Sequence, residues 1–157
     1  LAFVICFIAY KALIDEEETF SAKEMSITLP EEFVAASESG TAPFELYLTS
    51  RDMVVCAERL STTEVTELAL LDLHGFAASL LANNTFEDGE AAIQSRGDLL
   101  YFETPNKVAG TEYHCFVFLF KYEHTFWIVQ FNLHFTVAQE YRDQVFDWAE
   151  SITFESE

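Results

Sequence analysis

The stretch YHCFVFLFKYEHTFWIVQFNLHF, Tyr113–Phe135, places nine of the chain's 24 aromatic residues in 23 positions, without a glycine or a proline. A run this rich in Phe, Val and Ile favours strands, and Glu123-His124 is its only polar break suited to a tight turn. With those two residues as a hairpin loop, Tyr122 faces Thr125 and the register assigns every side chain to a face, because strand side chains alternate. One face then carries His114, Phe116, Phe118, Phe120 and Tyr122 opposite Leu133, Phe131, Val129, Trp127 and Thr125. The other carries Tyr113, Cys115, Val117, Leu119 and Lys121 opposite His134, Asn132, Gln130, Ile128 and Phe126. The first face has to be covered along its whole length. The second is apolar at the turn end and polar at the open end.

Covers are legible on either side of the hairpin. From a Thr136 cap, VAQEYRDQVFDWAESI places Val137, Ala138, Tyr141, Val145, Trp148, Ala149 and Ile152 on one stripe, with acids opposite, which predicts an amphipathic helix lying on the sheet. Earlier, Thr62 or Thr63 is positioned to cap a long helix reaching about Asn83. Its core stripe would hold Val65, Ala69, Leu70, Leu73, Phe76, Ala77, Leu80 and Leu81, and Leu68 and Leu71 would point away. Strands are predicted over EMSITLP, over residues 44–50 and 53–60 as a hairpin, and over LLYFET. PNKVAGTE reads as a turn, and SESGTAP and NNTFEDGEAAIQSRGD as loops, the latter with the sequon Asn83-Asn84-Thr85. This order predicts an α+β fold, a mostly antiparallel sheet of about six strands flanked by helices.

At 157 residues there is room for one core, so residues 20–157 are read as a single globular domain. The first 14 residues differ in kind: LAFVICFIAYKALI is apolar at thirteen positions, with Lys11 the only charge. As a helix it would reach ~21 Å against the ~30 Å of a bilayer's hydrocarbon core. It is read as the remnant of a membrane anchor or signal segment, with residues 15–19 as an acidic spacer and the domain extracytoplasmic. Cys6 lacks the small preceding residues of a lipoprotein acylation site.

With 27 acidic against 8 basic residues the formal net charge is −19, which repels phosphate backbones, so nucleic acid is not an expected partner and membrane contact is assigned to the N-terminal segment alone. Nucleotide-binding glycine loops, zinc-protease histidine pairs and hydrolase serine elbows are absent, and the acids at Asp15–Glu18 and Glu87-Asp88-Glu90 lack calcium-loop spacing. No cofactor, metal or catalytic residue is assigned. Cys56 and Cys115 lie in apolar strand patterns and are read as buried free thiols. The register also permits one nucleophile arrangement, Cys115 with His134 as base and Asn132 beside them. His74 and His124 read as surface residues. The candidate ligand or partner patch is Tyr113, Gln130, Asn132 and His134, at the open end of the hairpin.

The early strand SITLPEEF, a hairpin, a middle helix, an apolar three-stranded meander and a last helix closing on WAESITFE together resemble the PsbP-like superfamily over about residues 20–155. That family is an α/β/α sandwich of photosystem extrinsic subunits, a Ran-binding import factor and small bacterial envelope proteins. The resemblance implies a non-enzymatic binding or assembly module for an unknown protein or small ligand, and it transfers no functional residue. The expected function is therefore a membrane-tethered extracytoplasmic binding module. The alternative is a cytosolic acidic protein-binding domain, of chaperone or toxin-neutralising type.

Overall fold

In a computed structural model of the chain, residues 16–36, 43–83 and 92–156 are described, with the backbone but not the side chain of Val108. The aromatic stretch forms the centre of the main sheet. Strands β8 (Thr111–Tyr122) and β9 (Thr125–His134) pair antiparallel with Tyr122 opposite Thr125 and Tyr113 opposite His134. Both faces of the hairpin are therefore those fixed by the Glu123-His124 turn.

Ten strands are present among the described residues, in two sheets, so the sheet of about six strands is an undercount. The larger sheet is β3 (Val34–Ala35), β4 (Leu46–Thr49), β5 (Met53–Ser61), β9, β8, β7 (Leu99–Val108) and β6 (Gln94–Arg96), in that spatial order, with every pairing antiparallel. The smaller holds β1 (Glu17–Ala22), β2 (Met25–Pro30) and β10 (Thr153–Phe154). Glu17, Glu18 and Thr19, read from sequence as spacer, are the first half of β1. They are exposed and pair across to Pro30, Leu29 and Thr28. Residues 1–14, the sequon's Asn84 and Thr85, and the acids at 87, 88 and 90 lie outside the described residues.

The PNKVAGTE segment is a strand end rather than a loop. β7 runs through Pro105 to Val108, and the turn is reduced to Ala109 and Gly110, both at positive φ (49° and 85°), as tight hairpins require. Proline is tolerated there because β6 covers β7 only at Leu99–Tyr101, which leaves the rest an edge without a second ladder.

Two cores lie on the two faces of the main sheet. On the first face, Phe116, Phe118, Trp127, Val129, Phe131 and Leu133 pack with Met25, Ile27 and Leu29 of β2 and with Val145, Phe146 and Ala149 of the C-terminal helix α2 (Arg142–Glu150). That helix starts five residues later than its stripe predicts. The Thr136 hydroxyl bonds His134 Nδ1 (2.8 Å) instead of capping, and residues 135–140 form turns. Phe146, outside the predicted stripe, is 1% exposed and meets Tyr101, Phe116 and Phe118 edge-on. Ser151 then ties the helix end to β2, accepting from Thr28 N–H (3.0 Å).

On the second face, Cys115, Val117, Leu119, Phe126 and Ile128 pack under Phe76, Ala77 and Leu81 of helix α1 (Leu73–Asn83). The long helix from Thr62 is thus broken in two, with a 3-10 segment at Thr66–Leu70 before α1. The break follows from Asp72, whose carboxylate accepts the Gly75 N–H at 2.7 Å and starts a new helix, while the Leu71 carbonyl is taken by the Lys121 ammonium (2.7 Å). The altered phase overturns the predicted stripe only before α1, while Leu73, Phe76, Ala77, Leu80 and Leu81 keep their predicted place on the core. Leu68 and Leu71 pack on the core, whereas Leu70 is 93% exposed and Val65 39%. Replacing Asp72 with alanine is expected to cost about 1 kcal/mol, read as a lower denaturation midpoint, and an unchanged midpoint would show that the cap does not hold α1.

The result is an α+β fold, a sheet sandwiched between α1 on one side and α2 with the small sheet on the other.

Candidate functional site

Polar side chains gather where the second face runs out from under α1. Across this end of the sheet, in paired rows, Tyr47 of β4 neighbours Cys56 of β5, which neighbours Gln130 of β9. One row on, Val54 neighbours Asn132, which neighbours Cys115 of β8 and then Thr104 of β7. Beyond these, His134, Tyr113 and Asn106 form a third row. This region is concave. A cavity of about 320 Å³ lies among Phe44, Tyr47, Cys56, Asn106, Tyr113, Gln130 and Asn132. A second, of about 340 Å³, continues from Asn106 and Gln130 past Cys115 to Glu58, below Leu80 of α1.

Three of the four residues of the sequence-derived patch, Tyr113, Gln130 and Asn132, therefore line one cavity. His134 does not line it: it is exposed, bonds Thr136, and meets the Tyr113 ring edge-on at 6.1 Å. Asn106, Tyr47, Phe44 and Glu58 join the site from strands and a loop whose pairing with the hairpin is not written in any one segment. A register argument confined to β8 and β9 misses all four.

The floor of the two cavities holds Cys56 and Cys115. Burial pushes the Cys56 thiol up to about 12, against a hydrogen bond from Asn132 Nδ2 at 3.7 Å that favours the thiolate, and pushes the Cys115 thiol up to about 11. A nucleophilic cysteine needs the opposite shift, and the base it would need, His134, is engaged with Thr136. The two thiols are free and sit on strands separated by β9. Both should resist iodoacetamide at pH 8 in the folded protein and react once it is unfolded. Alkylation followed peptide by peptide by mass spectrometry checks this, and rapid native labelling of Cys115 would revive the nucleophile. His74 and His124 are exposed, as their positions imply.

Among the described residues no group of three or more His, Cys, Asp or Glu side chains is placed to hold a metal ion. Two half-buried carboxylates away from the cavities, Glu24 and Glu103, are structural. Glu24, in the β1–β2 turn, accepts from Arg59 Nε (2.9 Å), Thr125 Oγ1 (3.0 Å) and Trp127 Nε1 (3.2 Å) through one oxygen. Glu103 is gripped through both oxygens by Arg142 and bonded by His114 Nε2 (2.7 Å), which anchors the start of α2 to β7 and β8.

No protein-family model matches the chain, and no curated protein matches it in sequence. Solved structures do. A Bacteroides thetaiotaomicron VPI-5482 protein, determined at 1.50 Å, superposes with a TM-score of 0.56 at 9% identity over 89% of this chain. The chain spans about half of that protein's length, 49%. Cyanobacterial PsbP (CyanoP) from Synechocystis sp. PCC 6803 gives 0.49 at 9% identity, covering 90% of this chain and 94% of its own. LpqN of Mycobacterium tuberculosis, described as involved in cell envelope biogenesis, gives 0.47 at 13%, covering 88% and 90%. At these identities the likeness is one of fold.

Proposed function

We propose that this protein is a non-enzymatic, membrane-tethered extracytoplasmic binding module, and that its binding surface is the concave end of the sheet's second face. The observation that carries the reading is the pair of adjoining cavities floored by Asn106, Gln130 and Asn132 and edged by Tyr47 and Tyr113. Amide side chains offer donors and acceptors in fixed orientation and aromatic rings offer flat apolar area, the usual composition of a small-ligand or peptide site. The inert thiols beneath agree with recognition rather than reaction.

The tether rests on the apolar segment Leu1–Ile14. Among the described residues no helix is long and apolar enough to cross a membrane. Two measurements test the proposal. Titration of the isotope-labelled full chain with small polar aromatics and capped peptides should shift the side-chain amides of Asn106, Gln130 and Asn132 together in NMR spectra. Hits scattered elsewhere would remove the site. Membrane partition and protease accessibility in the native host should place the chain with membranes and the domain outside, and a cytosolic chain would sink the tether.

One observation favours the cytosolic acidic alternative. Among the described residues the basic side chains of Arg59, Arg96, Lys107, Lys121 and Arg142 contact acids or a backbone carbonyl, and with 27 acidic against 8 basic residues in the chain the charge left over is that of carboxylates suited to a basic client.

A further inference from the structure

Glu58 is the odd carboxylate of this molecule. Glu24 and Glu103, also partly buried, are each matched by an arginine and further hydrogen-bonded, and the partly buried Asp52 accepts from the Tyr141 hydroxyl (3.5 Å). Glu58 projects from β5 onto the second face and lines the inner cavity beside Ile128 and below Leu80. Among the described residues it has neither an ion pair nor a hydrogen bond. No basic side chain lines either cavity. Burial raises its carboxyl above the ordinary value with no opposing cation, so its charge is left uncompensated.

An isolated half-buried carboxylate costs free energy unless something supplies the missing charge. Here the carboxylate stands at one end of a groove whose middle is amide and whose other end is aromatic. Phe44 and Tyr47 lie with ring centroids 5.8 Å apart, and Tyr113 stands across from them on β8. The order of features, anion, amides, rings, is that of a linear ligand with a cationic head and a flat or apolar body.

We propose that the groove binds an organic cation in which a primary ammonium is joined to an aromatic or apolar body, the ammonium meeting Glu58 and the body lying over Gln130 and Asn106 toward Tyr47 and Tyr113. The inference rests on the binding reading above and narrows it to one ligand chemistry. The ammonium donates hydrogen bonds to the carboxylate, and the rings favour the body by dispersion and, for any second cation, by their faces. A free amine and a lysine side chain on a peptide share this chemistry.

The test titrates the labelled full chain with tyramine and with 4-ethylphenol, which differ in the amine, and with capped Ala-Lys-Ala and its norleucine counterpart. The same series follows on Glu58→Gln. The expected result is saturable shifts at Asn106 and Gln130, roughly tenfold tighter for the amine of at least one pair, with that preference lost in Glu58→Gln. Preference for tyramine assigns a free amine, and preference confined to the peptides assigns a lysine-bearing partner. Equal binding of the amine and its neutral match at these amides overturns the inference and leaves the binding module standing. No shift at these amides by any probe overturns both. Glu58 lies outside the main core, and unshifted amide resonances elsewhere in Glu58→Gln confirm that loss of preference is not loss of fold.

Discussion

Phe118→Ala is expected to destabilise the protein by about 3–5 kcal/mol, close to the whole stability of many domains. Phe118 is fully buried at the centre of the first face, with ring centroids 5.7 Å from Tyr101, 5.7 Å from Phe131 and 5.4 Å from Phe146. These partners come from β7, β9 and α2, so the ring is where the sheet and its helical cover meet. Truncation removes the apolar transfer term and leaves a void that three rigid aromatic neighbours are poorly shaped to fill. Phe118→Leu should lose distinctly less, since more of the volume is kept. Denaturant unfolding followed by tryptophan fluorescence measures both, and a loss below about 1 kcal/mol for the alanine variant would mean that the face is not sealed as described.

The second large effect is at Glu24. Its side chain is 11% exposed, and one oxygen serves Arg59, Thr125 and Trp127. It fastens the turn of the small sheet to the turn end of the aromatic hairpin. Glu24→Ala leaves the Arg59 guanidinium and the Trp127 indole N–H without their acceptor, a loss of about 2–4 kcal/mol. Glu24→Gln keeps an acceptor and should cost less. The same contacts set an acid dependence. Burial pushes the Glu24 carboxyl up, but the hydrogen bonds from Arg59, Thr125 and Trp127 outweigh it, and the net value lies below 4.5. Glu103 behaves likewise, burial being outweighed by Arg142 and His114. A lowered folded value means stability that is fully present above about 4.5 and lost as pH falls through the folded values. The wild type should therefore lose stability below pH 4.5 more steeply than Glu24→Gln, and parallel curves would contradict the assignment.

What the sequence revealed and what it hid follow from the range of the interactions. The hairpin register was legible because Glu123-His124 is the one polar pair in 23 residues, and a two-residue turn fixes every partner in the strands it joins. The buried and open ends of the second face came with it, and so did three of the cavity's residues. The 3-10 segment was hidden because Asp72 looks like any polar residue of an amphipathic helix until its carboxylate is seen on Gly75 N–H. That one cap exchanged Leu70 for Leu68 and Leu71 at the core. β1 was hidden because Glu17 and Glu18 are exposed, acidic and poor strand formers, held in place by β2. Asn106 was hidden by Pro105 and Gly110, which mimic a long turn, and Glu58 by its place in a strand whose neighbour is 70 residues on.

The most direct test of the binding surface is site-specific photo-crosslinking of the full chain in its native host, with the reactive side chain at position 106 in the groove or at position 19 on the exposed strand β1, and the adducts read by intact mass. The account expects a discrete adduct from position 106, abolished when Gln130→Trp fills the groove, and none from position 19. Adducts that form equally at both positions, or that persist in Gln130→Trp, would contradict it.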